Sequence, residues 1–417
     1  MAKDCKQQWW KDAKFGMFIH WGLYALPAGE YKGVKTASVG EWIMKHLSIP
    51  VEEYSQFAKV FNPVKFNAEE WAKLAYDAGM KYMVITAKHH DGFAMFKSAA
   101  DPYNIVDATP FGRDPMKELS EACRKYGIKF CFYYSQVQDW YDKNGCGYGR
   151  PDSEKDFNEY LERKCLPQLT ELLTQYGDIG LIWFDTPQRC TPENSKRIYD
   201  HVKSLQPNCI VSGRIGNNLG EYMSTGDNVL PLLPYPGDWE VPATLNDTWG
   251  FKKDDTNWKS PKQLIELLVK INSRGGNYLL NVGPTAEGVI PEESAEILRT
   301  IGRFMQKNGE SIYGTHAVPV YPYDLDWVRF TAKPGKLYMH LLRNVRKVYL
   351  PLIRNTFNKA YYLESGEPFN YTLTEQVATG THRLQADLPD VMPNELDTVI
   401  CFELNEDEVA FETLDTL

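Results

Sequence analysis

Short apolar runs recur through the first two thirds of the chain, and each ends in polar or ionisable residues. FGMFIHWG (Phe15 to Gly22) delivers His20, and YMVITAKHHDGF (Tyr82 to Phe93) delivers His89, His90 and Asp91. IKFCFYYS (Ile128 to Ser135) delivers Tyr133, Tyr134 and Ser135; GLIWFD (Gly180 to Asp185) delivers Asp185; CIVSGR (Cys209 to Arg214) delivers Arg214. Amphipathic stretches of helical length separate these runs: Val51 to Phe61, Asn67 to Ala78, Pro115 to Tyr126, Ser153 to Gln175, Pro192 to Ser204, Pro261 to Ser273 and Pro291 to Lys307. Apolar strands alternating with helices predict a parallel sheet covered by helices. Reactive groups at the C-terminal ends of several strands point further, to a closed (β/α)8-like barrel. A doubly wound sheet is disfavoured, because no glycine-rich phosphate loop follows the first strand.

The pattern changes after Tyr313. VRFTAK, KLYMHLL, KVYLPLI and TVICFEL alternate with period two between polar turns, as in an antiparallel β-sandwich. The chain therefore divides into a catalytic barrel over residues 1–313 and a sandwich over 314–417. A length of 417 residues with 43% hydrophobic content suffices for both.

Asp185 is the leading candidate for a reactive carboxylate. It stands where an apolar strand would continue with Val or Ile, and a carboxylate there must be held by specific partners or be neutralised. The competing reading is a turn former before Thr186 and Pro187. The net charge of -9 and the lack of a basic cluster exclude nucleic acid as partner. Aromatic residues make up 13% of the chain, which suits stacking on sugar rings, although a large aromatic core accounts for most of them. The eight cysteines show no C-x-x-C pair, so neither a disulfide framework nor a metal site is expected from them. No run reaches signal-peptide or membrane-span length; a soluble chain is expected, either cytoplasmic or exported with its leader removed, with no membrane partner. Oligomeric state is left open. His20, His89 and His90 suggest zinc at first sight. Adjacent strand residues face opposite ways, however, and no Cys or carboxylate completes a tetrahedral set, so no cofactor or metal is expected.

FGMFIHWGLYALPAGEY, GEWI at Gly40, FNPVKFNAEEWAKLAYDAGMKYMVITAKHHDGFAMF, FCFYYSQVQDW, IWFD and RGGNYLLNVGPTAEGVIP together resemble glycoside hydrolase family 29, the α-L-fucosidases, over nearly all of the first 310 residues. The resemblance implies a retaining exo-glycosidase without cofactor, acting on fucosylated oligosaccharides through a covalent fucosyl-aspartate, with Asp185 as nucleophile. It also implies that His20, Glu41, Trp42, His89, His90, Tyr134 and Arg214 hydrogen-bond the sugar hydroxyls. Trp183 and Trp249 are then walls beside the sugar's methyl group, which an apolar surface selects by about 1–3 kcal/mol.

Retention needs a second carboxyl group, protonated at rest. Two candidates stand out. Asp227 in STGDN lies 42 positions after Asp185 and matches the segment supplying the acid/base in some members. Glu240 in DWE resembles the glutamate with that role in others. Asp227 is preferred; the plainer readings are a turn aspartate and a structural ion pair. Val229 stands where members specific for branched fucosides often carry a glutamate. That departure keeps in view a catalytically weak carbohydrate-binding relative; a glycosidase for another sugar, such as a galactoside, is a separate alternative.

Overall fold

The structure, a computed structural model, describes residues 7–231, 235–318 and 325–411. Eight parallel strands form one sheet: β1 Phe15–Ile19, β2 Tyr82–Lys88, β3 Lys129–Tyr134, β4 Leu181–Phe184, β5 Ile210–Val211, β6 Met223–Ser224, β7 Trp239–Thr244 and β8 Asn277–Val282. Their spatial order is β5-β4-β3-β2-β1-β8-β7-β6. The two ends of that row meet at a parallel bridge between Ser212 and Tyr222, which closes the sheet into a barrel. The strands are buried almost throughout, as expected when helices cover the outside and side chains fill the inside.

Local signals fix the outer helices. Asn67 caps Ala68–Asp77 through bonds from Glu69 and Glu70 N–H; Asp114 caps Pro115–Lys125, and Ser260 with Gln263 forms a capping box on Pro261–Asn272. Each such cap contributes about 1 kcal/mol. Two expected helices differ. Val51 to Phe61 is one α-turn, Val51–Tyr54, followed by a 3-10 segment, Ser55–Lys59. Ser153 to Gln175 breaks into short pieces with a π-turn at Leu161–Cys165 before the helix Leu166–Gln175. Pro167 explains the second break, since its ring removes a backbone donor and crowds the preceding turn. The π-turn directs Lys164 inward, where its ammonium pairs with Asp101 at 2.6 Å and Asp139 at 2.9 Å.

Among the described residues, two of the barrel's crossovers carry no α-helix. Val211 and Met223 are joined by a 3-10 turn, Gly213–Ile215, because the segment is too short to carry a packed helix. This tight connection holds Arg214 over the barrel mouth. Strand β7 contains Pro242, which the sequence pattern disfavours in a strand. It is tolerated because β6 pairs only with Trp239 and Glu240, so the missing N–H falls beyond the neighbour's end.

The barrel interior is a separate aromatic core. Phe18, Tyr82, Tyr133, Trp183 and Tyr222 fill it, and Trp10 plugs the bottom. Tyr82 lies so close to Gly16 that a Cβ there would sit 2.5 Å from its ring.

The C-terminal part pairs a five-stranded with a three-stranded antiparallel sheet, the β-sandwich expected from the alternating pattern. Alternation is visible on β11, Lys336–Leu341 (β9 being His316–Ala317 and β10 Val328–Lys333): Leu337 and Met339 face the sandwich core, while Tyr338 packs into the barrel's outer core. Tyr338 also donates to Glu310 at 2.7 Å, and Thr331 Oγ1 donates to the Ser311 carbonyl at 2.6 Å, fastening sandwich to barrel. Among the described residues, no helix is long and apolar enough to cross a membrane.

Candidate active site

A pocket of about 320 Å³ opens at the C-terminal end of the barrel, lined by Phe18, His20, Ser38, Val39, Glu41, Trp42, His46, His89, Tyr133, Trp183, Asp185, Thr186, Arg214, Asp227 and Trp249. Its size is at the small end of the range for ligand sites, roughly 300–1,000 Å³, and suits one sugar ring better than a chain.

Asp185 lies at its floor, immediately after β4. One carboxylate oxygen, Oδ1, accepts from Arg214 Nη1 and from the Thr186 N–H, both at 2.9 Å. The other, Oδ2, accepts from the Tyr133 hydroxyl at 2.9 Å and lies 3.5 Å from His90 Nε2. Burial opposes ionisation of this carboxyl. The His90 contact and the Arg214 guanidinium outweigh burial and hold its proton affinity well below the usual carboxylate range. Gln136 fixes the backbone around it, accepting from Asp185 N–H at 3.0 Å and donating to the Arg214 carbonyl at 3.0 Å.

Burial lowers the proton affinity of His20, His89 and His90, pushing His20 down to about 3. Their partners determine what they present. Asn281 donates to the Trp249 carbonyl at 2.8 Å, so its oxygen faces His20 Nδ1 at 2.7 Å; His20 therefore carries its proton on Nδ1 and turns a bare Nε2 lone pair to the pocket. His90 needs a proton on Nε2 to face Asp185. Its Nδ1 lies 2.7 Å from Ser135 Oγ, whose hydroxyl donates to the Gln138 carbonyl at 2.8 Å. His89 stacks on Tyr133 at 5.4 Å, and its Nδ1 is buried without a protein partner. Glu41 is buried; burial pushes its carboxyl up to about 7 against the opposing Gly250 N–H and Thr248 hydroxyl bonds. Among the described residues, no three His, Cys, Asp or Glu side chains are grouped to hold a metal ion.

Arg214 joins the two ends of the site. Its guanidinium lies over the Trp183 ring, 4.6 Å from the centroid, and its Nη2 bonds both the Thr225 carbonyl at 2.9 Å and the Asp227 carboxylate. Asp185 and Asp227 thus flank one guanidinium. Asp227 is the more open of the two, its side chain 48% exposed against 13% for Asp185. Its turn is pinned by Asn228, whose N–H reaches the Pro242 carbonyl at 2.9 Å and whose side chain accepts from Thr244 N–H at 2.9 Å.

Three expected site residues lie outside the pocket lining. Tyr134 points outward to Gln168 at 2.8 Å, under the helix Leu166–Gln175, and its neighbour Tyr133 enters the pocket instead. The reason is strand parity: consecutive residues of β3 face opposite sides, and Tyr133 shares its side with Cys131 in the lumen. Glu240 is not on a loop at the mouth but in β7, wholly buried below the floor. Its carboxylate accepts from Tyr82 OH at 2.6 Å and Trp183 Nε1 at 2.9 Å, with Tyr222 OH at 3.4 Å, and burial pushes it up to about 7. It is therefore no ion pair either. His90 reaches Asp185 from behind the lining. Val229 is exposed on the Asp227 turn. Sequence reading missed Gln136, and only its place just after a strand end hinted at it.

Comparison with known proteins gives one answer. Residues 1–310 match the family model described as Alpha-L-fucosidase. The chain is 32% identical over 335 residues to the tissue alpha-L-fucosidase of Rattus norvegicus, covering 74% of this chain and 70% of that protein. Among solved structures it is similar to an alpha-L-fucosidase from Vibrio sp. strain EJY3, with TM-score 0.92 and 35% identity over 98% of this chain and 74% of that one. It is also similar to alpha-L-fucosidase isoenzyme 1 from Paenibacillus thiaminolyticus, with TM-score 0.85 and 36% identity over 97% of this chain and 100% of that one.

Proposed function

The chain belongs to the α-L-fucosidase family and is a glycoside hydrolase acting on fucosylated glycans, and on that premise we propose that it works with retention of configuration, Asp185 attacking the anomeric carbon and Asp227 serving as acid and then base. The observation that carries this reading is Asp185 itself: a buried carboxylate kept ionised by Arg214, at the floor of a one-sugar pocket. Only an ionised carboxylate can attack, and Arg214 with the Tyr133 hydroxyl holds it in line. Two carboxylates bonded to one guanidinium are spaced closely, in keeping with the short separation of retaining enzymes, about 5 Å.

Asp227 fits the second role better than Glu240, because Asp227 lines the pocket and Glu240 is sealed beneath Trp183. Protonating the leaving oxygen requires the Asp227 carboxyl to turn from Arg214 towards the substrate as it enters. Its 48% exposed side chain leaves room for that movement. His20 Nε2 and Glu41 are placed to receive or share sugar hydroxyl protons, which rejects epimers by leaving buried atoms unpaired. Phe18, Trp183 and Trp249 give the apolar wall that a methyl group needs. We assign the catalytic unit to residues 1–313 and the sandwich to 314–417.

Azide tests both roles on an aryl α-L-fucoside. With Asp185→Ala it should yield the fucosyl azide of inverted configuration, and with Asp227→Asn the retained one. Rescue of neither variant, or rescue with the configurations exchanged, overturns the assignment.

A further inference from the structure

Below the pocket floor lies a polar layer that the chemistry above does not use. Glu240, wholly buried in β7, gathers three donors: Tyr82 OH on β2, Trp183 Nε1 on β4 and Tyr222 OH just before β6. Trp10 closes the layer from beneath, 4.5 Å from the Tyr222 ring. A carboxyl group in this place costs desolvation, where an aliphatic side chain would fill the lumen without that cost. Its one function-facing contact is Trp183. The indole N–H is a donor only and cannot be satisfied by rotating, so the glutamate oxygen at 2.9 Å fixes the ring's rotation in its slot.

Trp183 in turn carries the site. Its ring stacks on Tyr133 at 5.7 Å and supports the Arg214 guanidinium at 4.6 Å, and these two residues supply hydrogen bonds to opposite oxygens of Asp185. A second link runs through the backbone: the Glu240 carbonyl accepts from Thr225 N–H at 3.0 Å, and the Thr225 carbonyl accepts from Arg214 at 2.9 Å.

We propose that Glu240 is a positioning residue of the glycosidase: by holding the Trp183 indole from below, it sets the platform on which Arg214 and Tyr133 aim the Asp185 carboxylate. The inference rests on the roles proposed for Asp185 and Arg214. A retained acceptor should suffice, and its loss should act only through Trp183.

The test is a double-mutant cycle in the full chain, assayed on an aryl α-L-fucoside, with folding checked by circular dichroism. Glu240→Gln keeps an oxygen for the indole and should hold kcat within about twofold. Glu240→Met has similar reach but no acceptor, and should lower kcat about tenfold with a smaller change in KM. In a Trp183→Phe background, which has no indole N–H, the same Met substitution should cost less than about twofold. Parental kcat for Glu240→Met, an equal loss in both backgrounds, or a Gln variant as impaired as the Met variant overturns the proposal. Should the Met variant fail to fold, Trp183→Phe serves in its place: removing the donor should lower kcat about tenfold with a smaller change in KM, and Glu240→Gln added to it should change kcat no further; parental kcat for Trp183→Phe, or a further loss on adding Gln, counts against the proposal. Full activity of Asp185→Ala would sink the underlying roles, an outcome distinct from all of these.

Discussion

The barrel lumen holds two buried carboxylates one layer apart, and they behave in opposite ways. Asp185, at the upper level, meets a guanidinium and stays ionised; Glu240, at the lower level, meets only neutral phenol and indole donors and is pushed up to about 7. Both are hydrogen-bonded and both are desolvated. The difference is a cation and an opening: Arg214 offsets the burial of Asp185, and that carboxylate faces the pocket, as the proposed attack requires. A buried acid is thus a reagent or a strut according to what faces it, and sequence motif alone does not tell them apart.

The comparison can be broken most severely at the upper level. Asp185→Ala should reduce kcat on an aryl α-L-fucoside by a factor on the order of 10³ or more, measured by release of the aryl alcohol. Asp227→Asn comes next. Natural fucosides, whose leaving oxygen needs a proton, should slow by about 10²–10⁴, and an aryl fucoside with an acidic leaving group far less; equal losses on both would contradict general acid catalysis by Asp227. Arg214→Ala removes the cation and should lower kcat by about 10², while the acidic limb of the kcat/KM profile moves to higher pH as Asp185 regains proton affinity. An acidic limb that stays in place would mean that Arg214 does not keep Asp185 charged.

A smaller effect sharpens the contrast through stability. The proton affinity of Asp185 is lower in the folded state than in the unfolded one, so its contribution is present above about pH 4 and is lost as pH falls towards its folded value. For Glu240 the folded value is raised, to about 7, so its sign is opposite: stability declines as pH rises from about 4.5 through 7. Glu240→Gln should remove that decline, narrowing the difference in unfolding free energy between pH 5 and pH 8 by about 1–3 kcal/mol in denaturant titrations. An unchanged pH dependence would show that Glu240 ionises freely in the fold. At the small end, Tyr134→Phe should leave kcat near parental and cost about 1 kcal/mol of stability through its lost bond to Gln168, while Tyr133→Phe lowers kcat about tenfold.

Much of this was legible from apolar runs that stop at ionisable residues. His20, His89, Asp185 and Arg214 all emerge that way, and the structure gathers them in one pocket. What was not legible had local causes. Strand β6 has only two residues and β7 contains Pro242, so neither carries a strand pattern, and Glu240 read as part of a loop. Tyr133 and Tyr134 are chemically identical, and only the inward parity set by Cys131 separates them. The π-turn before Pro167 interrupts a helix whose apolar period continues across the break. Helix caps, by contrast, act over three residues and were readable at Asn67 and Pro115.

The ester proposed on Asp185 is open to direct observation. With Asp227 as the proposed base, Asp227→Asn should slow its hydrolysis, so acid quenching during turnover of an aryl α-L-fucoside, followed by mass spectrometry of the peptides, should find one deoxyhexosyl residue attached to Asp185. A deoxyhexosyl residue attached to a different side chain, or an unmodified protein releasing β-L-fucose as its first product, would contradict the account.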